Sequence, residues 1–403
     1  MQLTSDKIEI IYSANNHLDD ICKVLPLRPF SPEICSLLHA VSQYLLKEPC
    51  VRDYPDVVTF AFWCRKSNID AMVKLYDNCC RVGRGIIFHI SPSNVPVNFA
   101  YSLVAGLLSG NINIVRVPTK NFEQVEIICN AFMNILEKEE FKQLAKFITL
   151  IRYARNEEIN RYLSSICDIR IIWGGDNAIS EVRKAPLDSK AFDVTFADRY
   201  SFSVVCAEKY LRDRNFEKTA QGFYNDTFLF DQNACTSPHL VVWVGEKDTI
   251  AHAKTKFWST LHSLVVKSYK MQPVQAIDKL TSFYKSSIDL SQNLIEMPDN
   301  YIVRIELKEL VSGIENFRCH GGYFYEYSAE TLNEVIPIVN KKYQTLSYYG
   351  FEAEELNNLI KCGLCGIDRI VPIGKTLDFS LNWDGYDLIS TLSRKVAILK
   401  AQI

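Results

Sequence analysis

Apolar and polar positions in the first half of the chain alternate as in strands separated by helices. The run GIIFHI (85–90) is short and almost wholly apolar, which is typical of a buried strand. VNFAYSLVAGLLSGN (97–111) has apolar residues at helical spacing and stops at a Gly-Asn pair, a common helix end. INIVRV (112–117) predicts the next strand, and a helix is predicted from 121 to about 137. This alternation indicates parallel β-α-β units.

The same alternation continues beyond these elements. FITLIR and DIRIIW are predicted strands, and NEEINRYLSSI and DNAISEVRKA are predicted helices. The first 80 residues are predicted to be mainly helical, with one helix beginning after Ser31 as N-cap and Pro32 at its first position. The first half of the chain therefore predicts an α/β domain with a parallel sheet.

The pattern changes after Phe196, where a second set of elements begins. SFSVVCA, HLVVWVG and YIVRIEL predict strands, and helices are predicted at about 214–228, 247–266 and 273–285. We therefore expect a first domain over residues 1–205, a second α/β domain over 206–376, and a tail, 377–403, that returns to the first domain.

Composition narrows the functional classes. The net charge of the 403 residues is −2, so no basic face is implied and nucleic acid is not an expected partner. The sequence contains no apolar run of about 18 residues, so no membrane span is predicted. Thirteen cysteines, mostly in apolar runs, suggest free thiols in the cytoplasm. The lone Cys362-Gly-Leu-Cys365 motif lacks the two further ligands of a zinc site, so no metal is expected.

The loop SPSNVP (91–96) places Asn94 between two prolines that restrict the backbone. It follows a predicted strand, and open α/β sheets bind ligands at this end of their strands. A fixed amide N–H donor can stabilise a developing oxyanion, which makes Asn94 a catalytic candidate. The alternative is that its side chain caps the following helix.

Two other strand ends carry candidate cofactor contacts. Arg116 ends a predicted strand, where a cation could bind a cofactor phosphate, although an ordinary surface arginine fits as well. Gly174 and Gly175 lie between a strand and a helix, where small residues let the backbone approach a phosphate or a ribose. Glycine is common in such turns, so the pair alone is weak evidence.

The segment FDQNACTSPH (230–239) holds Cys235 between a polar turn and a predicted strand. Cys235 is either a nucleophile or one more small apolar side chain among thirteen cysteines. His239 lies four residues later and could form a Cys-His pair. If Pro238 begins a strand, however, the two side chains do not point at each other.

Four motifs, PSNVP, SGNINIVR, WGGD and DQNAC, occur in an order that resembles the aldehyde dehydrogenase superfamily. More closely, YPDVVTFAFWCRK (54–66), DQNACTSP (231–238) and GIDRIVPIGKTLDFSLNWDGYDLI (366–389) resemble the LuxC-type acyl-CoA reductases, also called long-chain acyl-protein thioester reductases. The resemblance runs from about residue 30 to 395. It implies an aldehyde dehydrogenase-like α/β fold, with a Rossmann-like cofactor domain, a second α/β catalytic domain, and a cleft between them.

The resemblance implies a role for each candidate residue. Cys235 would be the acyl-accepting nucleophile, and Asn94 would stabilise the oxyanion together with the Cys235 backbone N–H. Arg116 matches a lysine that contacts the adenosine ribose in the superfamily, and an arginine there suits a 2′-phosphate, which favours NADPH. Helix and backbone dipoles would give Cys235 a low pKa. The other residues expected to line the cofactor are Pro92, Ser93, Thr119, Gly174 and Gly175.

One position departs from the superfamily pattern. The glutamate that serves as general base for hydrolysis aligns with Phe196, and a phenyl ring cannot activate water. The resemblance therefore favours reduction of a thioester over formation of an acid. The glutamate that contacts the nicotinamide ribose in many members has no match near CHGGYF (319–324).

The leading hypothesis is NADPH-dependent reduction of a fatty acyl thioester, carried by CoA or by a protein, to the aldehyde through acyl-Cys235. One alternative is an acyltransferase that uses Cys235 without hydride transfer, and another is a non-catalytic scaffold for an acyl-activating partner. The resemblance implies an acyl-protein synthetase and an acyl-transferase as partners, with luminescence as one context. A homo-oligomer is a further expectation.

Overall fold

The computed structural model describes residues 8–14, 18–76, 80–92, 95–295 and 297–399. The chain divides into two compact units. The first comprises Met1–Ala197 and Tyr386–Ile403, and the second comprises Asp198–Gly385. Each unit has its own mainly parallel sheet with helices, so the predicted α/β class is confirmed.

The large sheet of the first unit has six strands in the order β1-β5-β4-β3-β6-β7. All neighbouring strands in it are parallel except β1, which runs antiparallel to β5. β3 and β6 are buried along their whole length, as their continuous apolar runs predict. The strands of the first half are β1 (Glu9–Ser13), β2 (Arg81–Gly83), β3 (Ile86–Ile90), β4 (Ile112–Arg116), β5 (Ile148–Arg152), β6 (Ile169–Trp173) and β7 (Phe192–Phe196).

Helices accompany this sheet. α4 is buried around almost its whole circumference because nearly all its side chains are apolar or small. α6 begins where the Asn156 side chain accepts a hydrogen bond from the Ile159 N–H at 3.1 Å. The helices are α1 (Pro32–Lys47), α2 (Pro55–Trp63), α3 (Lys66–Leu75), α4 (Asn98–Leu108), α5 (Glu123–Leu136), α6 (Glu157–Ile166) and α7 (Asp176–Arg183), with 3-10 turns at Leu18–Lys23, Pro49–Asp53 and Lys142–Phe147.

The sheet of the second unit has seven strands in the order β10-β11-β12-β9-β8-β13-β14. Only β10 is antiparallel to its neighbour. Two buried apolar clusters lie against this sheet, one of them rich in aromatic side chains from the helices Phe216–Thr227 and Lys247–Ser268. The seven strands are β8 (Tyr200–Cys206), β9 (Pro238–Val244), β10 (Gln292–Ile295), β11 (Val303–Leu307), β12 (Tyr323–Ala329), β13 (Tyr343–Tyr349) and β14 (Arg369–Pro372). A further short strand, β15 (Asn382–Trp383), lies outside this sheet.

The helices of the second unit include the longest of the described elements, α10, with 22 residues. No helix among the described residues combines the length and apolarity needed to cross a membrane. The helices are α8 (Ala207–Arg212), α9 (Phe216–Thr227), α10 (Lys247–Ser268), α11 (Pro273–Ser286) and α12 (Ala353–Lys361), with 3-10 turns at Phe228–Phe230, Ile314–Asn316 and Leu332–Ile338.

The C-terminal segment of the first unit contains β16 (Tyr386–Asp387), α13 (Leu388–Leu392) and β17 (Ser393–Lys395), and β17 pairs antiparallel with β2. The boundaries between the units differ from the expected 205/206 and 376/377. β8 lies between β9 and β13 in the second sheet, so the first boundary falls at Ala197/Asp198. The second boundary falls at Gly385/Tyr386.

Candidate active site

Cys235 lies in the connection between α9 and β9 of the second unit. After the 3-10 turn Phe228–Phe230, two consecutive residues, Asp231 and Gln232, take left-handed φ values of 51° and 59°. This region is disfavoured for residues with a side chain and costs on the order of 1 kcal/mol or more each. Such a turn persists only if surrounding contacts hold it.

The Gln232 side chain supplies most of these contacts. Its amide nitrogen donates to the carbonyl oxygens of Pro238 and Tyr323, both at 2.9 Å. Its amide oxygen accepts from the backbone N–H groups of Gly322 at 3.0 Å and Tyr323 at 2.9 Å. In addition, the Tyr269 hydroxyl donates to the Asp231 carboxylate at 2.6 Å. All four hydrogen-bonding positions of a buried amide are therefore used to close the turn.

Two serines fix the backbone on either side of the Cys235 thiol. The Ser201 hydroxyl donates to the Cys235 carbonyl oxygen at 2.6 Å. It also accepts from the Thr345 N–H at 3.2 Å. The Ser237 hydroxyl donates to the Asp226 carbonyl oxygen at 2.7 Å. Cys235 itself stays half-buried, so its sulfur is held in place and still reachable.

The Cys235 sulfur faces an acidic side chain at the start of the second unit. Its S–H donates to Asp198 Oδ1 at 3.9 Å. Arg318 is ion-paired with the other oxygen of the same carboxylate. Arg318 also donates to the Arg199 carbonyl oxygen at 3.0 Å, and the Arg199 backbone N–H favours the thiolate form of the sulfur. The sulfur thus has a carboxylate and a backbone donor beside it.

The sequence-based expectation of a low pKa for Cys235 is wrong in this structure. Burial raises the pKa of the Cys235 thiol, and the carboxylates of Asp198 and Asp384 raise it further. The Arg199 backbone N–H and the Arg318 guanidinium lower that pKa, but they do not outweigh the other effects. The resting group is therefore a thiol at neutral pH, and its attack requires a proton acceptor.

His239 does not serve as that acceptor. It is buried within β9, where its ring stacks on Tyr200 with centroids 5.6 Å apart. Burial lowers the pKa of His239 to about 3, so the ring is neutral. The Cys235 S–H instead donates a hydrogen bond to the Asp198 carboxylate, which agrees with the argument against a Cys-His pair.

In the first unit, three predicted cofactor positions lie at one edge of the sheet. β4, β3 and β6 are adjacent and parallel, and their carboxyl ends lie side by side. Arg116 is the last residue of β4, Pro92 comes shortly after β3, and Gly174 directly follows β6. Ligands bind at this edge in open α/β sheets. Ser93 and Asn94 lie outside the described residues, and their roles stay predictions.

Arg116 is anchored rather than free. Its Nε and one terminal nitrogen donate to the Tyr153 carbonyl oxygen at 3.3 and 3.2 Å. The guanidinium also lies 4.7 Å from the centroid of the Tyr153 ring. These contacts use part of its five N–H donors and fix a positive charge at the strand end. Thr119 is exposed in the bend that follows.

The glycine pair leaves open space beside the sheet. A Cβ added at Gly175 would meet no atom within 4 Å, and one at Gly174 would meet only the Ala178 Cβ, at 3.3 Å. Neither glycine has a positive φ, so the backbone conformation does not require glycine here. The missing side chains therefore fit close approach of a bound group. Together with the fixed charge of Arg116, the residues present suit a dinucleotide phosphate or ribose.

Phe196 ends β7 and is buried in the first unit. Its ring stacks on Trp173 with centroids 3.7 Å apart, and the edge of Tyr386 meets it at 5.7 Å. The Gly174 N–H donates to the Phe196 carbonyl oxygen at 3.1 Å. Phe196 is therefore a packing residue of the edge that carries Gly174.

The other described cysteines are not paired with one another. Each cysteine in the described part of the chain is a free thiol, and Cys362 and Cys365 are both exposed at the end of α12. Within the described ranges, no three His, Cys, Asp or Glu side chains are grouped to hold a metal ion.

The sequence reading missed Asp198, Arg318 and Ser201. Asp198 stands only two residues after Phe196, in a segment that we compared with the family's general-base motif, so that comparison could have drawn attention to it. Arg318 is more than 80 residues from Cys235, and no local pattern links the two. Ser201 reads as an ordinary polar residue of a strand.

Residues 76–395 match the family model described as acyl-CoA reductase (LuxC). The long-chain acyl-protein thioester reductase of Aliivibrio fischeri is 24% identical over 321 residues, which cover 77% of this chain and 62% of that relative. The chain therefore spans less than two thirds of the length of this relative.

Two solved structures share the fold. Aldehyde dehydrogenase 21 from Physcomitrella patens has a TM-score of 0.62 at 12% identity, covering 89% of this chain and 82% of its own. The NADP-dependent glyceraldehyde-3-phosphate dehydrogenase from Bacillus halodurans, complexed with NADP, has a TM-score of 0.61 at 14% identity, covering 94% and 88%. These matches confirm the predicted fold, with a Rossmann-like domain and a second α/β domain.

Proposed function

We propose, because the chain belongs to the acyl-CoA reductase (LuxC) family, that it reduces a fatty acyl thioester to the aldehyde through an acyl group on Cys235. The observation that carries this proposal is the turn around Cys235, where a half-buried thiol is held by Gln232 and Ser201 and faces a carboxylate. A fixed, reachable sulfur beside a proton acceptor is what nucleophilic catalysis requires. The Aliivibrio fischeri relative is named for a long-chain acyl-protein thioester, which supports a fatty acyl substrate.

In the proposed reaction, the Cys235 sulfur loses its proton, attacks the thioester carbonyl carbon, and takes the acyl group as the substrate thiol departs. NADPH, when bound, supplies the hydride that reduces the acyl-Cys235 thioester. The resemblance implies that Asn94 and the Cys235 backbone N–H hold the oxygen that becomes negative. The reduced species is a hemithioacetal, in which the former carbonyl carbon is still bonded to the Cys235 sulfur. Cleavage of this C–S bond releases the aldehyde and restores the Cys235 thiolate.

Cofactor choice is part of the proposal. Arg116 places a fixed cation at the edge of the first sheet, and the space beside Gly175 admits a bound group. A structural neighbour was solved with NADP. An arginine suits a 2′-phosphate, so we propose NADPH over NADH. Phe196 at the position of the hydrolytic base supports reduction over acid formation.

The test is a coupled assay with a long-chain acyl thioester and NADPH, in which aldehyde and oxidised cofactor are measured together. One aldehyde should form per NADPH oxidised, and Cys235→Ala should abolish both while the exposed control Cys362→Ala retains them. Acyl transfer without NADPH oxidation would indicate the acyltransferase instead. The predicted partners remain an acyl-protein synthetase and an acyl-transferase. The predicted assembly remains a homo-oligomer.

A further inference from the structure

The geometry points to Asp198 as the residue that accepts the Cys235 proton and returns it to the departing thiol, with Arg318 as its positioning residue. This inference rests on the proposed acyl-Cys235 chemistry and deepens it. The residue aligned with the family's hydrolytic base is Phe196, so Asp198 represents a separate assignment.

The contacts around the sulfur link Asp198, Arg318 and Arg199. The Cys235 S–H donates to Asp198 Oδ1 at 3.9 Å, and Arg318 pairs with the second oxygen of that carboxylate. Arg318 then donates to the Arg199 carbonyl oxygen at 3.0 Å, and the Arg199 N–H favours the thiolate form of the sulfur. An isolated exposed ion pair orders little. Here the two-pronged guanidinium holds the carboxylate and its neighbouring peptide in a single arrangement.

The exposure of the Asp198 side chain is that of a group that can exchange a proton with a substrate. The side chain of Asp198 is 46% exposed and that of Arg318 is 34% exposed, so one side of the pair is open. Asp384, the other carboxylate that influences the sulfur, is only 8% exposed and accepts a hydrogen bond from Gln344. Asp198 is therefore the carboxylate that both the thiol and an incoming thioester can reach.

The step balances without a further reactant. As the S–C bond to the thioester carbonyl forms, the Cys235 proton moves to the Asp198 carboxylate. As the bond from that carbon to the leaving sulfur breaks, the same proton moves to this sulfur and the free thiol departs. No electron donor takes part until the hydride step, which is separate.

A carboxylate beside a thiol has two effects with opposite consequences. Its negative charge disfavours the thiolate, so removing the charge makes the sulfur more reactive toward a small alkylating reagent. If the carboxylate also carries the proton, removing it slows acyl transfer, because neither the thiol nor the leaving group has a partner. Alkylation and acylation therefore change in opposite directions only if Asp198 transfers the proton.

The experiment compares alkylation of Cys235 by iodoacetamide with its acylation by a long-chain acyl-CoA, each followed by peptide mass, for Asp198→Asn and the wild type. The other groups that act on the sulfur are Asp384, Arg318 and the Arg199 N–H, all retained in this variant. We expect alkylation at neutral pH to rise by up to about tenfold, because loss of the Asp198 negative charge favours the thiolate. Acylation should fall by about a hundredfold, the usual loss on removing a general base.

Asp384→Asn is the matched control, because asparagine is isosteric and tolerates the left-handed φ of 48° at this position. It also removes a negative charge near the sulfur, so alkylation should rise while acylation changes by less than about threefold. Asp198→Glu should recover part of the acylation rate. Arg318→Lys keeps the charge but loses the two-pronged contact, and should lower acylation with little change in alkylation.

A rise in both rates in Asp198→Asn would overturn the inference and leave Asp198 with an electrostatic effect only. Unchanged acylation in Asp198→Asn would overturn it too. Neither result affects the proposed function, which fails instead if Cys235→Ala still makes aldehyde. If Asp198→Asn fails to fold, normal acylation by Asp198→Ser would serve as the disproof.

Discussion

The Gln232 side chain bonds to both backbone groups of Tyr323, donating to its carbonyl oxygen and accepting from its N–H, each at 2.9 Å. These bonds tie the turn that carries Cys235 to the first residue of β12, which is 91 residues away in sequence. Gln232 has a left-handed φ of 59°, so the bonds also stabilise an unfavourable backbone conformation. The position of the proposed nucleophile therefore depends on a residue that takes no part in the chemistry.

Gln232→Ala should lower the free energy of unfolding by about 3 kcal/mol, because it removes the hydrogen-bond partner that two buried carbonyls and two buried N–H groups share. Asn233→Ala, in the same turn but exposed, should change it by less than about 0.5 kcal/mol. Chemical denaturation of both variants provides the measurement. An equal, small effect in both would show that the Gln232 bonds do not hold the turn.

Periodicity predicted the βα succession of the first unit because its strands are apolar runs and its helices are amphipathic. β3, β4, β5 and β6 lie within about a residue of the predicted segments. β12 and β13 were not predicted. Their tyrosine-rich runs include polar residues such as Glu326, which is buried but accepts hydrogen bonds from Trp243, Trp258 and Arg304. Only tertiary partners make such a residue acceptable in a core.

The surroundings of Cys235 were less predictable from sequence than the cysteine itself. The DQNAC segment drew attention to the turn, but the left-handed backbone and its anchors depend on residues from β8 and β12. The wrong pKa expectation has the same origin. The sequence shows that a helix precedes the cysteine. The direction of the Cys235 pKa shift, however, is decided by burial and by nearby carboxylates, which distant segments of the chain supply.

The pH dependence of Cys235 alkylation tests the corrected pKa. Burial raises the pKa of the Cys235 thiol above its ordinary value near 9, so thiolate forms only at higher pH than in an unfolded chain. A synthetic peptide with residues 230–239 has the same local sequence without the burial. The alkylation rate should reach half its maximum at a higher pH in the protein than in this peptide. A lower midpoint in the protein would contradict the structure.

Asp226 gives a pH dependence of stability. Burial raises the pKa of Asp226 to about 7, although N–H groups of Gly374 and Thr376 bond to its carboxylate. A raised folded-state pKa stabilises the fold fully below the ordinary value of 3.8, and this contribution disappears as pH rises through about 7. Between about pH 4 and pH 7 the free energy of unfolding should therefore fall more steeply in the wild type than in Asp226→Asn.

Urea titrations at several pH values measure this difference, with Asp289→Asn, at an exposed site, as the control. The control should follow the wild-type slope. Parallel slopes for Asp226→Asn and the wild type would show that Asp226 is already ionised in the folded state throughout this range.

Phe196 should behave as a packing residue. Phe196→Ala removes the ring that stacks on Trp173 and should cost about 3 to 5 kcal/mol, whereas Phe196→Leu keeps most of the volume and should cost about half as much or less. Phe196→Glu, the variant that would restore the family's base, buries a carboxylate against Trp173 and should destabilise the protein strongly. Thermal unfolding of the three variants checks this order. Equal stability of Phe196→Glu and the wild type would show that the side chain is not confined as described.

Intact-mass spectrometry of the protein with a long-chain acyl thioester tests the central claim most directly. Without NADPH, the mass should increase by one acyl group, and peptide mapping should place it on Cys235. Adding NADPH should remove the adduct and release one equivalent of aldehyde, and Cys235→Ala should show no adduct. Aldehyde formation with no acyl group ever detected on Cys235, or an adduct that persists after NADPH is added, would contradict the account.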